Sequence, residues 1–97
     1  MEFEFDPAKS EANKAKHGVD FVAAQELWRP GNGLTVDARS HDEVRYGIVG
    51  QIEGKFWVGY FTLRQKKIRI ISVRRARKAE IQFYEDHNSS RTRPEIR

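Results

Sequence analysis

Arginine residues that can bind phosphate are concentrated in the C-terminal third of this sequence. Residues 64–97 carry 11 Lys or Arg against 4 Asp or Glu, whereas residues 1–63 carry 7 against 10, so their formal charges are +7 and −3. A planar guanidinium group can hold two phosphate oxygens at once. This charge is typical of a segment that binds nucleic acid or an acidic protein surface, although a solvated basic face has the same composition. The arginines that best suit phosphate contacts are Arg64, Arg69, Arg74 and Arg75.

The rest of the composition indicates one small domain without disulfide or metal support. The chain has 97 residues, 38% of them hydrophobic, which allows a single modest core. It contains no Cys and no cluster of His with acidic residues at ligand spacing, so we expect no disulfide framework, no metal site and no cofactor. No segment resembles a signal peptide or approaches the ~18 apolar residues of a membrane span. We therefore expect a cytoplasmic protein with no membrane partner.

Residues that start and stop helices divide the first third of the chain. Asp6 and Pro7 are typical of an N-cap and a first helical position, and Gly18 suits the left-handed residue after a helix. These signals predict a helix from Pro7 to about His17. Asp20 resembles a second N-cap, followed by one apolar stripe of a second helix. That stripe consists of Phe21, Ala24, Leu27 and Trp28.

Alternating polar and apolar residues predict strands on both sides of these helices. The expected strands are residues 2–5, 34–37, 44–52, 55–63 and 67–73, with a polar loop at 38–43. The short connections at 53–54 and 64–66 suit antiparallel hairpins. Residues 56–61 are apolar on both faces, which predicts a strand in the middle of the sheet. Helical spacing returns from Ala76 to about His87.

The element order β-α-α-β-β-β-β-α predicts an α+β fold, with an antiparallel meander sheet and the helices packed on one face. We expect a single domain over residues 1–87 and a polar C-terminal tail over residues 88–97, which has no periodicity.

The last strand carries candidate residues on both faces. With strict alternation, one face holds Ile68, Ile70, Ser72 and Arg74. The other face holds Arg69, Ile71, Val73 and Arg75. A two-residue turn at 65–66 would pair Thr62 with Arg69, and a shift by one residue would pair Thr62 with Ile68. The sequence leaves both registers open, and with them the choice of the arginines that face an open surface.

Two groups of residues resemble the BrnT family of toxins. The N-terminal group is Phe5-Asp6-Pro7-Ala8-Lys9, Asn13 and Lys16-His17-Gly18-Val19. The C-terminal group is Glu43-x-Arg45, Gly50, Thr62-x-Arg64, Arg69-Ile70-Ile71-Ser72-x-Arg74-Arg75-Ala76, Glu80 and Tyr84. Each motif is common alone, but their order over residues 3–85 is specific. The sequence departs from the family pattern at Phe61, where Tyr is frequent, at Gln65, where Gly is frequent, and in a less basic last helix at Ala79, Ile81 and Gln82.

Similarity to BrnT toxins implies a RelE-like fold and an endoribonuclease that cleaves RNA without a metal ion and inhibits translation. It also implies neutralisation by a BrnA antitoxin, through which the toxin–antitoxin complex binds operator DNA. Such cleavage needs a base to activate the 2′-hydroxyl, cations to stabilise charge on the phosphorane, and an acid to protonate the leaving 5′-oxygen.

The sequence offers residues of all three kinds. The catalytic candidates are His17, Arg64, Arg74 and Arg75. The RNA-binding candidates are Lys16, Thr62, Lys67, Arg69 and Ser72. Glu80 and Tyr84, four apart on the last helix, are a possible acid or base.

Structural roles are open for the same residues. His17 would interact with the helix dipole in the last turn of its helix, and Tyr84 would be a core residue with its hydroxyl at the edge. The charge distribution also suits a non-catalytic nucleic-acid-binding module or a protein-interaction subunit. The general base, the RNA sequence cleaved, dependence on the ribosome and the oligomeric state stay open.

Overall fold

A computed structural model describes residues 2–38 and 44–92, with side chains up to residue 87. The elements are β1 (Phe3–Glu4), α1 (Pro7–His17), a 3-10 helix (Ala23–Trp28), β2 (Leu34–Asp37), β3 (Tyr46–Ile52), β4 (Lys55–Arg64), β5 (Lys67–Arg75) and α2 (Lys78–Thr92). This order confirms the α+β class. Parts of two predicted segments lie outside the described residues: the loop at 38–43 except for Ala38, and the last five residues of the tail. Glu43 of the family pattern lies outside them as well.

The ends of α1 are fixed by the residues that predicted them. The Asp6 carboxylate accepts a hydrogen bond from the Ala8 N–H at 2.9 Å, and Pro7 occupies the first turn. Gly18 has a φ of +98°, a left-handed conformation that glycine adopts without strain, and its N–H donates to the Lys14 carbonyl at 2.9 Å. The predicted helix therefore has the predicted bounds.

The second helix is a 3-10 helix instead of the α-helix predicted. Asp20 does cap this segment, because its carboxylate accepts the N–H groups of Val22 and Ala23 at 3.0 and 2.8 Å. In a 3-10 helix, residues three apart lie above one another. This geometry buries Ala24 and Leu27 completely against the sheet. These two residues of the predicted apolar stripe therefore face the core in the 3-10 helix, as they would in an α-helix.

The sheet has the order β1-β5-β4-β3-β2, with β4 in the middle as predicted. The prediction of a purely antiparallel sheet is wrong. Strands β2 to β5 form the antiparallel meander, but β1 pairs with β5 in parallel, with Phe3 opposite Ile68 and Glu4 opposite Arg69. The meander leaves one edge of β5 open, and the N-terminal segment joins the sheet there, where the Ile68 N–H donates to the Glu2 carbonyl at 2.9 Å.

The helices lie on both faces of the sheet, so the prediction that they share one face is also wrong. The 3-10 helix and α1 cover the face that includes Trp57 and Phe61, which we call the α1 face. Helix α2 covers part of the opposite face, the α2 face, where Tyr84 packs with Val49 and Val58. Since β4 is apolar on both sides, each side needs a cover.

The register of the β4–β5 hairpin is the one set by a two-residue turn. Gln65 and Lys66 form this turn with φ of +51° and +68°, and Thr62 lies opposite Arg69. Between Tyr60 and Phe61 the register shifts, so Tyr60 pairs with Ser72 while Phe61 pairs with Ile70. One extra residue, Ile71, lies in this β-bulge and reverses the alternation beyond it.

The bulge corrects the predicted faces of β5. Ile68, Ile70 and Val73 all belong to the core of the α1 face. The pairing places Arg69 together with Ser72 and Arg74 on the α2 face, whereas strict alternation had separated them.

Helix α2 continues to Thr92, five residues past its predicted end. Among the helices described, none is long and apolar enough to cross a membrane.

Candidate functional site

A strip of polar side chains occupies the α2 face of β4 and β5. Register places Tyr60 opposite Ser72 and Thr62 opposite Arg69, with Arg74 opposite Val58. All five polar residues are partly exposed. We call this set of Tyr60, Thr62, Arg69, Ser72 and Arg74 the polar strip.

Arg74 organises one end of the polar strip. Its Nη1 and Nη2 atoms donate to the two carboxylate oxygens of Glu80 at 2.9 and 2.6 Å. Nη2 also donates to the Tyr60 hydroxyl oxygen at 2.7 Å, and Nη1 to the Arg75 carbonyl at 3.0 Å. Four of the five N–H groups of the guanidinium are thus engaged. Arg74 is therefore placed to orient its neighbours more than to bind a phosphate directly.

The ion pair fixes the charge of both partners. Hydrogen bonds from Arg74 hold the pKa of the Glu80 carboxyl below its ordinary value, and the Arg77 N–H, which donates to Glu80 at 2.7 Å, acts in the same direction. Burial opposes this shift without cancelling it. The same contacts raise the pKa of Arg74 further above neutrality. A carboxylate held ionised in this way is a weak proton acceptor near pH 7.

Tyr60 is a functional candidate that the sequence analysis missed. Its oxygen accepts a hydrogen bond from Arg74, and the Arg74 guanidinium carbon lies 5.5 Å from the centre of its ring. Because a phenol has one proton to donate, that proton remains available to a group bound on the strip. The family pattern frequently has Tyr at the adjacent position, where this chain has Phe61. Phe61 is buried on the α1 face between the rings of Trp28 and Tyr46.

Three cations lie at the other end of the strip, next to β1. Arg69 Nη1 is 3.2 Å from Glu4 Oε2, and Arg64 Nε is 3.7 Å from the same oxygen. Lys67 Nζ lies 4.0 Å from Glu2 Oε1. One carboxylate oxygen shared by two arginines leaves most of their N–H groups for another anion. The alternation at residues 2–5 was the signal for these acidic neighbours, since it places Glu2 and Glu4 on one face.

Arg75 is separated from the polar strip. It lies opposite Trp57 on the α1 face, with its guanidinium carbon 5.5 Å from the centre of the Trp57 ring. Arg74 and Arg75, adjacent in sequence, therefore contact different faces of the sheet.

His17 and Lys16 line a groove beside the strip. This groove, of about 220 Å³, lies between α1 and β5 and is also lined by Lys9, Ile71 and Ser72. Ser72 belongs to both the groove and the polar strip. The two surfaces that carry the predicted site residues therefore meet at this serine.

Asn13 holds α1 against β5 at that meeting point. Its Oδ1 accepts the Val73 N–H at 3.1 Å, and its Nδ2 donates to the Val19 carbonyl at 2.7 Å. The side chain is buried, and in the described part of the chain β1 pairs with residues 68 and 69 of β5 only. Asn13 thus satisfies a backbone N–H of β5 that a neighbouring strand would otherwise bind.

Tyr84 lies in the core. Its side chain is buried, its hydroxyl donates to the Asn32 carbonyl at 2.5 Å, and its ring contacts that of Phe56 edge to face. Glu80, one helical turn before it, binds Arg74 instead. The structure therefore does not bring Glu80 and Tyr84 together as a pair.

Comparison with family models identifies the chain. One model matches residues 5–80, and it describes the ribonuclease toxin BrnT of type II toxin–antitoxin systems. The chain belongs to the BrnT family. A search among curated proteins found no match.

The BrnT match covers both surfaces that meet at Ser72. It includes every residue of the polar strip, the groove residues Lys16 and His17, and Glu80. Several residues that resemble the BrnT pattern have structural roles here, namely the cap Asp6, the clamp Asn13 and the left-handed Gly18. A BrnT ribonuclease toxin of a type II system acts on RNA and has an antitoxin partner.

Proposed function

We propose that this BrnT-family chain is an endoribonuclease that cleaves RNA without a metal ion, by attack of a ribose 2′-oxygen on the adjacent phosphate. The observation that carries this proposal is the hydrogen bond from Arg74 to the Tyr60 oxygen on an open, polar face of the sheet. It leaves the phenolic proton free for the departing 5′-oxygen, and proton donation of this kind accelerates reactions by roughly 10²- to 10⁴-fold. Tyr60 is the general acid in this mechanism.

The arginines next to β1 stabilise the negative charge that develops on the phosphorane. Arg69 faces the same side as Tyr60, and Arg64 joins it at the shared Glu4 oxygen. A phosphate on the strip can bind the N–H groups that Glu4 leaves free, while Thr62 and Ser72 add hydroxyl donors. Lys67 adds charge at the end of the hairpin.

His17 is the residue that we assign as general base. Glu80 is less suited, because its lowered pKa makes it a poor proton acceptor near neutral pH. His17 and Lys16 line the groove that shares Ser72 with the strip. In this arrangement Lys16 contacts phosphate, Arg74 and Glu80 position Tyr60, and Arg75 contacts RNA from the α1 face.

Membership of the BrnT family supports the cellular role that we propose. Cleavage of RNA in the cytoplasm inhibits translation, and a BrnA-like antitoxin neutralises the toxin and joins the complex to operator DNA. The α+β architecture is compatible with the RelE-like fold that the resemblance to BrnT toxins implies.

A pair of matched phenol variants tests the proposal. We expect Tyr60→Phe to lower the rate of RNA cleavage roughly tenfold or more, with RNA binding retained, because it keeps the ring and removes the hydroxyl, which is the proton donor and also the acceptor for Arg74. Tyr46→Phe is the control, since Tyr46 stacks on Phe61 on the α1 face. Equal cleavage by both variants would refute the role of Tyr60. Intact RNA with a retained gel shift for the wild type would favour a nucleic-acid-binding module, and neither activity would favour an interaction subunit.

A further inference from the structure

A cavity of about 330 Å³ lies between α2 and the sheet, beside the polar strip. Aliphatic side chains of three strands form its floor, and one side of α2 forms its wall. The lining that matters here is Val36, Gly47, Val58, Tyr60, Glu80 and Phe83. We call this space the α2 cavity. Its volume is within the range of about 300–1,000 Å³ that is usual for small-ligand pockets.

Gly47 keeps the floor of the α2 cavity open. The residue lies in β3 opposite Tyr60, and its φ is not in the left-handed region, so the backbone does not require glycine there. A Cβ atom at this position would lie 3.4 Å from Val36 Cγ2 and 3.6 Å from Tyr60 Cε1. Any longer side chain would extend over the floor. Glycine in a strand interior is often found where another group approaches closely.

Two aromatic side chains border this open floor. Tyr60 comes from β4 and Phe83 from α2, and both are partly exposed. Flat apolar space between aromatic rings is the environment in which proteins stack unpaired nucleobases. Both carboxylate oxygens of Glu80 are bound by Arg74, and Asp37 is the other acidic residue of the cavity lining.

The α2 cavity is continuous with the phosphate-binding surface. Tyr60 belongs to both, because its ring borders the cavity while its oxygen joins Arg74 on the polar strip. A nucleotide with its base in the cavity would therefore have its phosphate near the Tyr60 hydroxyl. Arg74 and Glu80 hold the ring in position for both contacts.

We propose that the α2 cavity binds one unpaired nucleobase of the RNA, next to the phosphate that is cleaved, by stacking on Tyr60 and Phe83. This inference rests on the proposed function, since it takes RNA as the substrate. It makes the enzyme selective for single-stranded RNA.

Binding of an uncleavable oligonucleotide tests the cavity independently of catalysis. The probes are short single-stranded oligonucleotides with 2′-deoxyribose throughout the central segment, each with 2-aminopurine or an abasic nucleotide at one central position. We expect 2-aminopurine fluorescence to change on binding at one position, and an abasic nucleotide there to weaken binding roughly tenfold. Phe83→Ala should remove the difference between abasic and intact probes, and Gly47→Val should remove it by filling the floor.

Gly47→Ala is the matched control, because its added Cβ makes only ordinary contacts. Phe83→Ala keeps the test valid if Gly47→Val does not fold, as judged by circular dichroism. Equal binding of abasic and intact probes at every position by the wild type would overturn the cavity assignment, whether or not the protein cleaves RNA. A cavity that discriminates abasic probes in a protein that leaves RNA intact would refute the proposed ribonuclease mechanism alone. If Phe83→Ala weakened antitoxin binding and left abasic discrimination unchanged, the cavity would be an antitoxin site and our proposal would be wrong.

Discussion

Replacing Asn13 by Ala should destabilise the domain strongly, although Asn13 is a single polar side chain in a helix. The variant removes two hydrogen bonds, from the Val73 N–H to Oδ1 and from Nδ2 to the Val19 carbonyl. With Asn13 only 7% exposed, water cannot readily replace the lost partners. Both backbone groups would then be left unsatisfied.

The size of the effect can be worked out from these contacts. A buried polar group left without a partner costs about 1–3 kcal/mol, so two such groups cost roughly 2–6 kcal/mol. The better helix propensity of Ala returns about 0.5 kcal/mol. A net loss of at least about 1.5 kcal/mol corresponds to a fall in Tm of at least roughly 6 °C for a domain of this size.

Urea and thermal unfolding followed by circular dichroism would measure this loss. Lys14→Ala is the matched control, because Lys14 is exposed on the same helix and the substitution should change stability by less than about 0.5 kcal/mol. If Asn13→Ala were as stable as Lys14→Ala, Asn13 would not clamp α1 to β5, and the groove that contains His17 would not be held by this contact.

Two other predictions concern the site and its hairpin. Because Arg74 lowers the pKa of Glu80, the Glu80 contribution to stability is present above the unfolded pKa of about 4.3 and is lost as the pH falls through the lower folded value. The urea midpoint of the wild type should therefore exceed that of Glu80→Gln at pH 7 and approach it near pH 3; a constant difference would contradict the ion pair. Gln65→Gly should stabilise the domain by about 1 kcal/mol, since φ of Gln65 is +51°, whereas Gln51→Gly within β3 should destabilise it. A loss of stability in Gln65→Gly, measured by the same unfolding curves, would show that the turn is not strained.

The sequence predicts those parts of the fold that short-range chemistry determines. The caps Asp6 and Gly18 give the bounds of α1. The β4–β5 hairpin was narrowed to two registers, and the structure has the one that a two-residue turn sets. The parallel pairing of β1 has no such signal, because a two-residue strand carries too little pattern to specify its neighbour. The position of α2 could have been foreseen from β4, whose two apolar faces require two covers.

The candidate site was harder to predict than the fold. The bulge at Ile71 places Ser72 and Arg74 on the same face as Arg69. No residue type in this strand predicts a bulge at that position. The hydrogen bonds from Arg74 to Tyr60 and Glu80 depend on that shift together with the position of α2. Tyr60 was missed for this reason, while the chemical types of Arg69, Ser72 and Arg74 were recognised.

The most direct test of the account is an analysis of the RNA ends that the purified chain produces. Single-stranded RNA incubated with the protein in EDTA should be cleaved, and the upstream fragments should carry 2′,3′-cyclic phosphate or 3′-phosphate, because the 2′-oxygen is the nucleophile. The same sequence with 2′-deoxyribose at the cleavage position should stay intact. Cleavage that requires a divalent cation, or fragments with 3′-hydroxyl ends, would contradict the proposed mechanism.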